Sequence, residues 1–177
     1  AFHEAVHLLE RCADSGGTVL VTGLGKSGLI GAKISATLAS LGIPSHAVHP
    51  SEAAHGDLGR FRPTDTVIAL SFSGETDEGV NLAAVLREDG LPIVAITRGS
   101  QTAKQRDSET GEDGPSSLER LATVTLGVGA IEEAGGAAFA APTSSTTAML
   151  ALGDALAVGR PALQVVAVDP AGVAEQA

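Results

Sequence analysis

At 177 residues the chain is long enough for one substantial core and short for two domains. Eleven basic against 21 acidic residues leave a net charge of −10, and four Phe with no Trp or Tyr supply little for base stacking, which speaks against a nucleic-acid partner. No apolar run reaches the roughly 18 residues of a membrane span, so no membrane partner is expected. The single cysteine, Cys12, excludes an internal disulfide and fits a reducing cytoplasm, the expected location. The start, Ala1-Phe2-His3-Glu4, has no initiator Met and no look of a secretion signal, and reads as an excerpt or a processed form.

Phe2, Val6 and Leu9 fall at helical spacing, so residues 2–12 read as an amphipathic opening helix that Ser15-Gly16-Gly17 ends. Thr18–Thr22 is a short β-rich run, followed by the glycine loop Gly23-Leu24-Gly25-Lys26-Ser27-Gly28. Ile30, Ile34, Leu38 and Leu41 form one stripe of a second helix ending near Gly42. Ser45–His49 is a second strand, and Pro50–Gly59 a small, charged, glycine-punctuated stretch with Glu52, His55 and Asp57. Thr66–Leu70 is the third strand, running straight into Ser71-Phe72-Ser73-Gly74-Glu75-Thr76 and a helix over 75–89. Leu91–Thr97 is the fourth strand; the polar, acidic stretch 101–117 reads as a mobile insertion. A short helix over 117–122, a fifth strand over 123–127, a loop over 131–141 holding Glu132 and Glu133, and a closing helix over 143–160 complete the chain. In that last helix Met149, Leu152, Leu156 and Ala157 are expected on one side. Alternating strands and helices predict an α/β fold, a parallel sheet covered on both faces, with ligands at the carboxyl ends of its strands. Residues 1–160 are taken as one domain and 161–177 as a C-terminal tail.

Both glycine-hydroxyl loops fall at such strand ends. The first turn of a helix has unpaired N–H donors and a partial positive charge, and small hydroxyls add donors without bulk, so the loop at 71–76 suits a phosphate. An ordinary capped helix start would also use Ser and Thr there. Gly23-x-Gly25-x-x-Gly28 meets the dinucleotide pattern formally. That pattern also wants an acidic residue closing the next strand, where the chain has Val48-His49-Pro50. Gly25-Lys26-Ser27 imitates the end of a P-loop, but the motif's first glycine would fall on Leu20. What remains is a small anionic ligand met by Lys26 and Ser27, against a tight turn that needs glycine and leaves the lysine unexplained.

These residues resemble the sugar isomerase (SIS) domain family, and within it the arabinose-5-phosphate isomerases. The resemblance rests on Gly23–Gly28, the run His49-Pro-Ser-Glu-Ala-Ala-His-Gly-Asp-Leu-Gly59, Ser71–Thr76, Pro142-Thr-Ser-Ser-Thr-Thr147 and Gly153-Asp-Ala-Leu-Ala-Val158. It implies a five-stranded parallel sheet in a three-layer α/β/α sandwich of flavodoxin-like winding, and a homodimer or homotetramer with sites between subunits. It implies a sugar-phosphate substrate, interconversion of ribulose 5-phosphate and arabinose 5-phosphate through an enediol, and no cofactor. Phosphate binding is implied at Ser71, Ser73 and Thr76 with Ser27, and a substrate pocket at Thr143, Ser144 and Ser145. Lys26, His55, Glu78 and Glu133 fall on charged residues of the family's site. The chain departs from the family in Phe72, which replaces an amide, and in the longer insertion at 101–117. It also departs in 161–177, which has no His where the family continues into a Ser-His-Pro-Gly-Gly segment; the paired CBS modules that often follow are absent too.

An aldose–ketose isomerisation needs a base about 3 Å from the carbon acid and donors for the developing oxyanion. Glu133 is the candidate base, its pKa expected to rise by partial burial toward working pH, with Glu132 as the alternative one residue away. A solvated loop glutamate is the plain reading of the same residue. Lys26 would hold the phosphate or polarise a substrate oxygen, and His55 would shuttle a proton for ring opening. Glu78 sits one turn into its helix, where a carboxylate is stabilised in any case. The Glu52, His55 and Asp57 group lacks a zinc-like spacing, so no metal is expected. His49 and Cys12 read as structural. A phosphosugar-binding or sensing module without catalysis is the alternative function.

Overall fold

The computed structural model describes residues 1–100, 114–139 and 141–159. The expected tail, 161–177, and most of the acidic stretch, 101–113, lie outside the described residues. The elements in order are α1 (Phe2–Asp14), β1 (Val19–Gly23), α2 (Lys26–Ser40), β2 (Ser45–Val48), α3 (Pro50–Ala54), β3 (Thr66–Leu70), α4 (Asp77–Glu88), β4 (Ile93–Thr97), α5 (Ser117–Leu121), β5 (Val124–Gly127) and α6 (Ser144–Val158). The five strands form one parallel sheet in the order β2-β1-β3-β4-β5. The three-layer sandwich expected from the sequence is therefore present.

Strand periodicity divides the core. Val19, Val21, Ile68, Leu70, Val94 and Ile96 point to one face, under α1, α2 and α6. Leu20, Val67, Ala69, Ile93 and Ala95 point to the other, under α3, α4 and α5. Because both faces are covered, β1, β3 and β4 are buried along their whole length and appear in the sequence as unbroken apolar runs rather than alternating ones. The α2–α6 contact closes the first face. Gly153 presents no side chain to Ile34, and a Cβ there would stand 2.2 Å from Ile34 Cδ1. Lys33 Nζ of α2 reaches the Asp154 carboxylate of α6 at 2.5 Å.

The charged, glycine-punctuated stretch Pro50–Gly59, given no element from the sequence, forms α3 and a 3₁₀ turn at Asp57–Arg60. Proline at the first helical position starts α3 with a preset φ, and only five residues follow, too few for a periodic signal. In α6 the half-buried Leu152 packs on the same core as Met149, Leu156 and Ala157, as expected, and the fully buried Gly153 joins them opposite Ile34. No helix among the described residues is long and apolar enough to cross a membrane.

Candidate functional site

The strand order fixes the place where a ligand fits. From β1 the chain winds outward to β2, and from β3 it winds the other way to β4 and β5. The crossover helices α2 and α4 therefore lie on opposite faces, so the connections that leave the carboxyl ends of β1 and β3 part to either side, the place where open α/β sheets form a ligand crevice. Gly23 of β1 and Leu70 of β3 are register partners, so the loops that follow them begin side by side. The crevice thus receives both glycine-hydroxyl loops.

The loop after β1 is compressed. Gly25 has φ +58, and a Cβ on Gly28 would lie 2.7 Å from the Gly23 carbonyl oxygen. That oxygen and the first turn of α2 touch, which only glycine permits. Lys26, the first residue of α2, is exposed and its ammonium meets no partner among the described residues. Ser27 is half-buried, and its N–H donates to the Leu24 carbonyl at 3.1 Å.

The loop after β3 continues the sheet for two residues: Ser71 N–H donates to Ile96 O at 3.1 Å and Arg98 N–H to Phe72 O at 2.9 Å. It then turns at Gly74, φ +71, whose N–H donates to Ser71 Oγ at 3.1 Å. Ser71 Oγ lies 3.0 Å from Thr76 Oγ1, and Ser73 Oγ accepts from Glu75 N–H at 3.2 Å. Three of the four hydroxyls expected to bind phosphate, those of Ser71, Ser73 and Thr76, are therefore gathered in one turn, and the fourth, Ser27, lies in the loop after β1. Thr76 is the residue preceding α4, yet its hydroxyl makes no capping bond to that helix. The N–H groups of the first turn of α4 have no acceptor within the helix, the arrangement that binds anions. Glu78 projects from this turn, exposed and with no hydrogen bond or ion pair among the described residues. His55 ends α3 at the carboxyl end of β2, also exposed and without a side-chain partner among the described residues.

Glu133 lies elsewhere in the bonding pattern, and here the expectation from the sequence fails. Its carboxylate accepts from Thr143 N–H at 2.7 Å, Thr143 Oγ1 at 3.0 Å, Ser145 N–H at 3.3 Å and Ser145 Oγ. These donors, the Ser145 hydroxyl foremost and the Thr143 N–H next, pull its pKa from 4.5 down to about 2, against a smaller upward push from burial. A raised pKa was expected from burial. The N-terminus of α6 instead surrounds the carboxylate with donors, so it caps that helix and stays ionised. Ser145 is buried with its hydroxyl turned to Glu133, whereas Thr143 is exposed and Ser144 half-buried. No hydrogen bond or ion pair among the described residues joins Glu133 to Lys26, His55 or Glu78. Glu132 takes no part in the cap. No group of three or more His, Cys, Asp or Glu among the described residues is placed to hold a metal.

Two features escaped the sequence reading. Thr22, at the carboxyl end of β1 on the α3–α4 face, buries a hydroxyl without a partner among the described residues. Nothing in a β-rich run distinguishes it from an apolar neighbour. Ser116 and Glu119 form a capping box at α5, against the loop after β3. The Ser-x-x-Glu spacing at 116–119 was the available signal.

The class defined by this architecture is a doubly wound α/β domain with a glycine- and hydroxyl-rich turn at its switch point. The SIS domain family matches residues 13–111, and the chain belongs to it. The chain is 49% identical over 142 residues to arabinose 5-phosphate isomerase KdsD of Shigella flexneri, an alignment covering 80% of this chain and 39% of that protein. It is 41% identical over 157 residues to arabinose 5-phosphate isomerase KpsF of Escherichia coli O6:H1, covering 89% of this chain and 42% of that one. The chain thus spans about two fifths of the length of these curated relatives. Among solved structures, the E. coli CFT073 protein c3406 in complex with A5P superposes with a TM-score of 0.75 at 34% identity, over 89% of this chain and 74% of that one.

Proposed function

We propose that this SIS domain binds a sugar phosphate and interconverts an aldose and a ketose, with D-arabinose 5-phosphate and D-ribulose 5-phosphate as the pair. The observation that carries the reading is the meeting of the two glycine-hydroxyl loops at the ends of neighbouring strands β1 and β3. Its support in sequence is the similarity to proteins named arabinose 5-phosphate isomerase.

In this reading the phosphate sits on Ser71, Ser73, Thr76 and the first turn of α4, with Ser27 and the Lys26 ammonium facing it from the loop after β1. A base removes the proton from C2 of the open-chain aldose. The C–H electrons form the C1=C2 bond of an enediol as the carbonyl oxygen O1 takes up a proton; the O2–H proton is then lost to form C2=O while the C1=C2 electrons take a proton at C1, giving the ketose. His55 assists ring opening. Glu133 is a poor proton acceptor because four donors already occupy its carboxylate and a pKa near 2 is far from working pH. We assign the base to Glu78, whose carboxylate is unencumbered and lies one turn from the hydroxyl loop, and give Glu133 the task of holding the loop ahead of α6. Subunits meeting at the site, in a dimer or tetramer in a cytoplasmic setting, complete the proposal.

The test is incubation of the protein with D-ribulose 5-phosphate, with Glu78→Gln and Glu133→Gln alongside. The expected result is formation of the aldose by the parent chain and by Glu133→Gln. Turnover by Glu78→Gln should fall about 10²–10⁴-fold with ligand affinity kept. The reverse ranking would return the base to Glu133. Binding without any conversion by the parent chain would leave a sensing module.

A further inference from the structure

The loop that bears Ser71, Ser73 and Thr76 is held on one flank by β4, through the Ser71–Ile96 and Phe72–Arg98 backbone bonds. Its other flank, Gly74-Glu75, leans on a five-residue helix that takes no part in the sheet. Leu118 N–H of α5 donates to Gly74 O at 3.0 Å, and Ser117 N–H donates to Glu75 Oε1 at 2.9 Å. Gly74 is pressed so closely onto Ser116 that a Cβ would fall 2.0 Å from Ser116 Oγ. A helix this short cannot hold itself in place by propagation alone. At its C-terminal end Arg87 Nη1 of α4 donates to Leu121 O at 2.6 Å, and at its N-terminal end, next to the loop, it is held by Glu119. One carboxylate oxygen accepts from Thr97 Oγ1 at 2.6 Å, at the end of β4; the other accepts from Ser116 N–H at 3.3 Å. Ser116 Oγ in return accepts Glu119 N–H at 3.3 Å. The Thr97 hydroxyl oxygen also accepts Gly99 N–H at 3.0 Å. Leu118, 1% exposed, seals the underside against the core.

We infer that α5 is a clamp on the anion loop, and that Glu119 and Ser116 are positioning residues for ligand binding without touching the ligand. The argument is one of charge as well as geometry. A carboxylate near a phosphate seat disfavours the anion by repulsion, and the loop already carries Glu75, Asp77 and Glu78. Glu119 is tied to Thr97 and Ser116 by directed bonds, so its benefit to the site lies in order. An anion loop whose hydroxyls are fixed before binding loses less conformational entropy when the ligand arrives. Glu119 ties the end of β4 to the start of α5, and both of those hold the loop.

The loop-order part of this inference stands without a ligand; the affinity part rests on the sugar-phosphate reading. The experiment follows amide hydrogen exchange across the chain in the parent, Glu119→Ala, Glu119→Gln and Ser116→Ala, together with the dissociation constant for inorganic phosphate. Exchange in the peptide covering 71–77 is expected to rise about tenfold in Glu119→Ala and Ser116→Ala, the scale of a lost helix cap, with α1 and β2 unchanged. Glu119→Gln keeps an acceptor for Thr97 and should recover most of the protection. Phosphate affinity should fall in step with exchange at 71–77 while exchange in α1 and β2 holds. Unchanged exchange at 71–77 in both alanine variants overturns the clamp, as does a uniform rise over the whole chain. If exchange responds as expected but the parent binds no phosphate, the clamp stands and the sugar-phosphate reading fails.

Discussion

Glu133 gives the protein a stability that depends on pH with a definite sign. Its folded pKa, about 2, lies below the ordinary 4.5, so in acid the unfolded chain takes up the proton first. The contribution is complete above about pH 4.5 and disappears as the pH falls from there to about 2. Replacing Glu133 by Gln should lower the thermal midpoint at pH 6, and the gap to the parent should shrink steadily toward pH 2.5. An equal gap at both ends would mean that the cap on α6 does not depend on charge. Glycine 74 offers a second check at this scale. Gly74 and Gly42 share the left-handed conformation, φ +71 and +77, but only Gly74 faces a neighbour, Ser116, where a Cβ would go. Alanine at either should cost about 1–3 kcal/mol in backbone strain, and Gly74→Ala should cost clearly more in urea unfolding. Equal losses would show that the loop does not lean on Ser116 in solution.

Between elements, the tightest seam is α2 on α6. Alanine at Gly153 gains roughly 1 kcal/mol in helix propensity and meets Ile34, a fully buried side chain, with overpacking of about 1–3 kcal/mol. A net loss is expected, and Ile34→Val in the same chain should recover part of it because the nearest atom, Cδ1, is gone. Additive losses in urea titrations of the two single variants and the double would refute that contact. The same seam marks the limit of what a residue pattern can convey. Helical spacing picks out Met149, Leu152, Leu156 and Ala157 as the inner side of α6, and short apolar runs pick out all five strands to within two residues at either end. Spacing alone cannot tell that a glycine is the innermost residue, because that depends on what Ile34 of another helix occupies. The five residues of α3 likewise carry no period to detect.

For the molecule as a whole, charge sets the approach of a ligand. In the proposed reading a dianion meets a body of net charge −10, and Lys26 and the N–H groups at the start of α4 supply local attraction. Raising salt from about 10 to 150 mM shortens the Debye length from about 30 to 8 Å and screens the distant repulsion more than the local pull. The association rate of a sugar phosphate, read by stopped flow, should therefore increase with salt. Lys26→Gln should keep that trend while weakening affinity by on the order of tenfold. A rate that falls with salt would mean that the crevice focuses a positive field strong enough to dominate. The hydroxyl loop was legible as a local string of residues. That it and the Lys26 loop share one end of the sheet was legible too, from their places after two strands; that β1 and β3 are hydrogen-bonded neighbours is stated by no single stretch and comes only from the assembled order. The direction of the Glu133 pKa shift was illegible for a similar reason: its donors sit at Thr143 and Ser145, and their approach depends on how the intervening loop folds back.

Thr76 turns its hydroxyl toward Ser71 and away from the helix that it precedes. Helix α4 is in this sense unfinished, and the group that would complete it is exogenous: a bound phosphate would serve as its missing terminal residue. Ligand and secondary structure should then be coupled, with saturating sugar phosphate slowing the fraying of α4 in particular and leaving a helix with its own internal cap, such as α6, as it was.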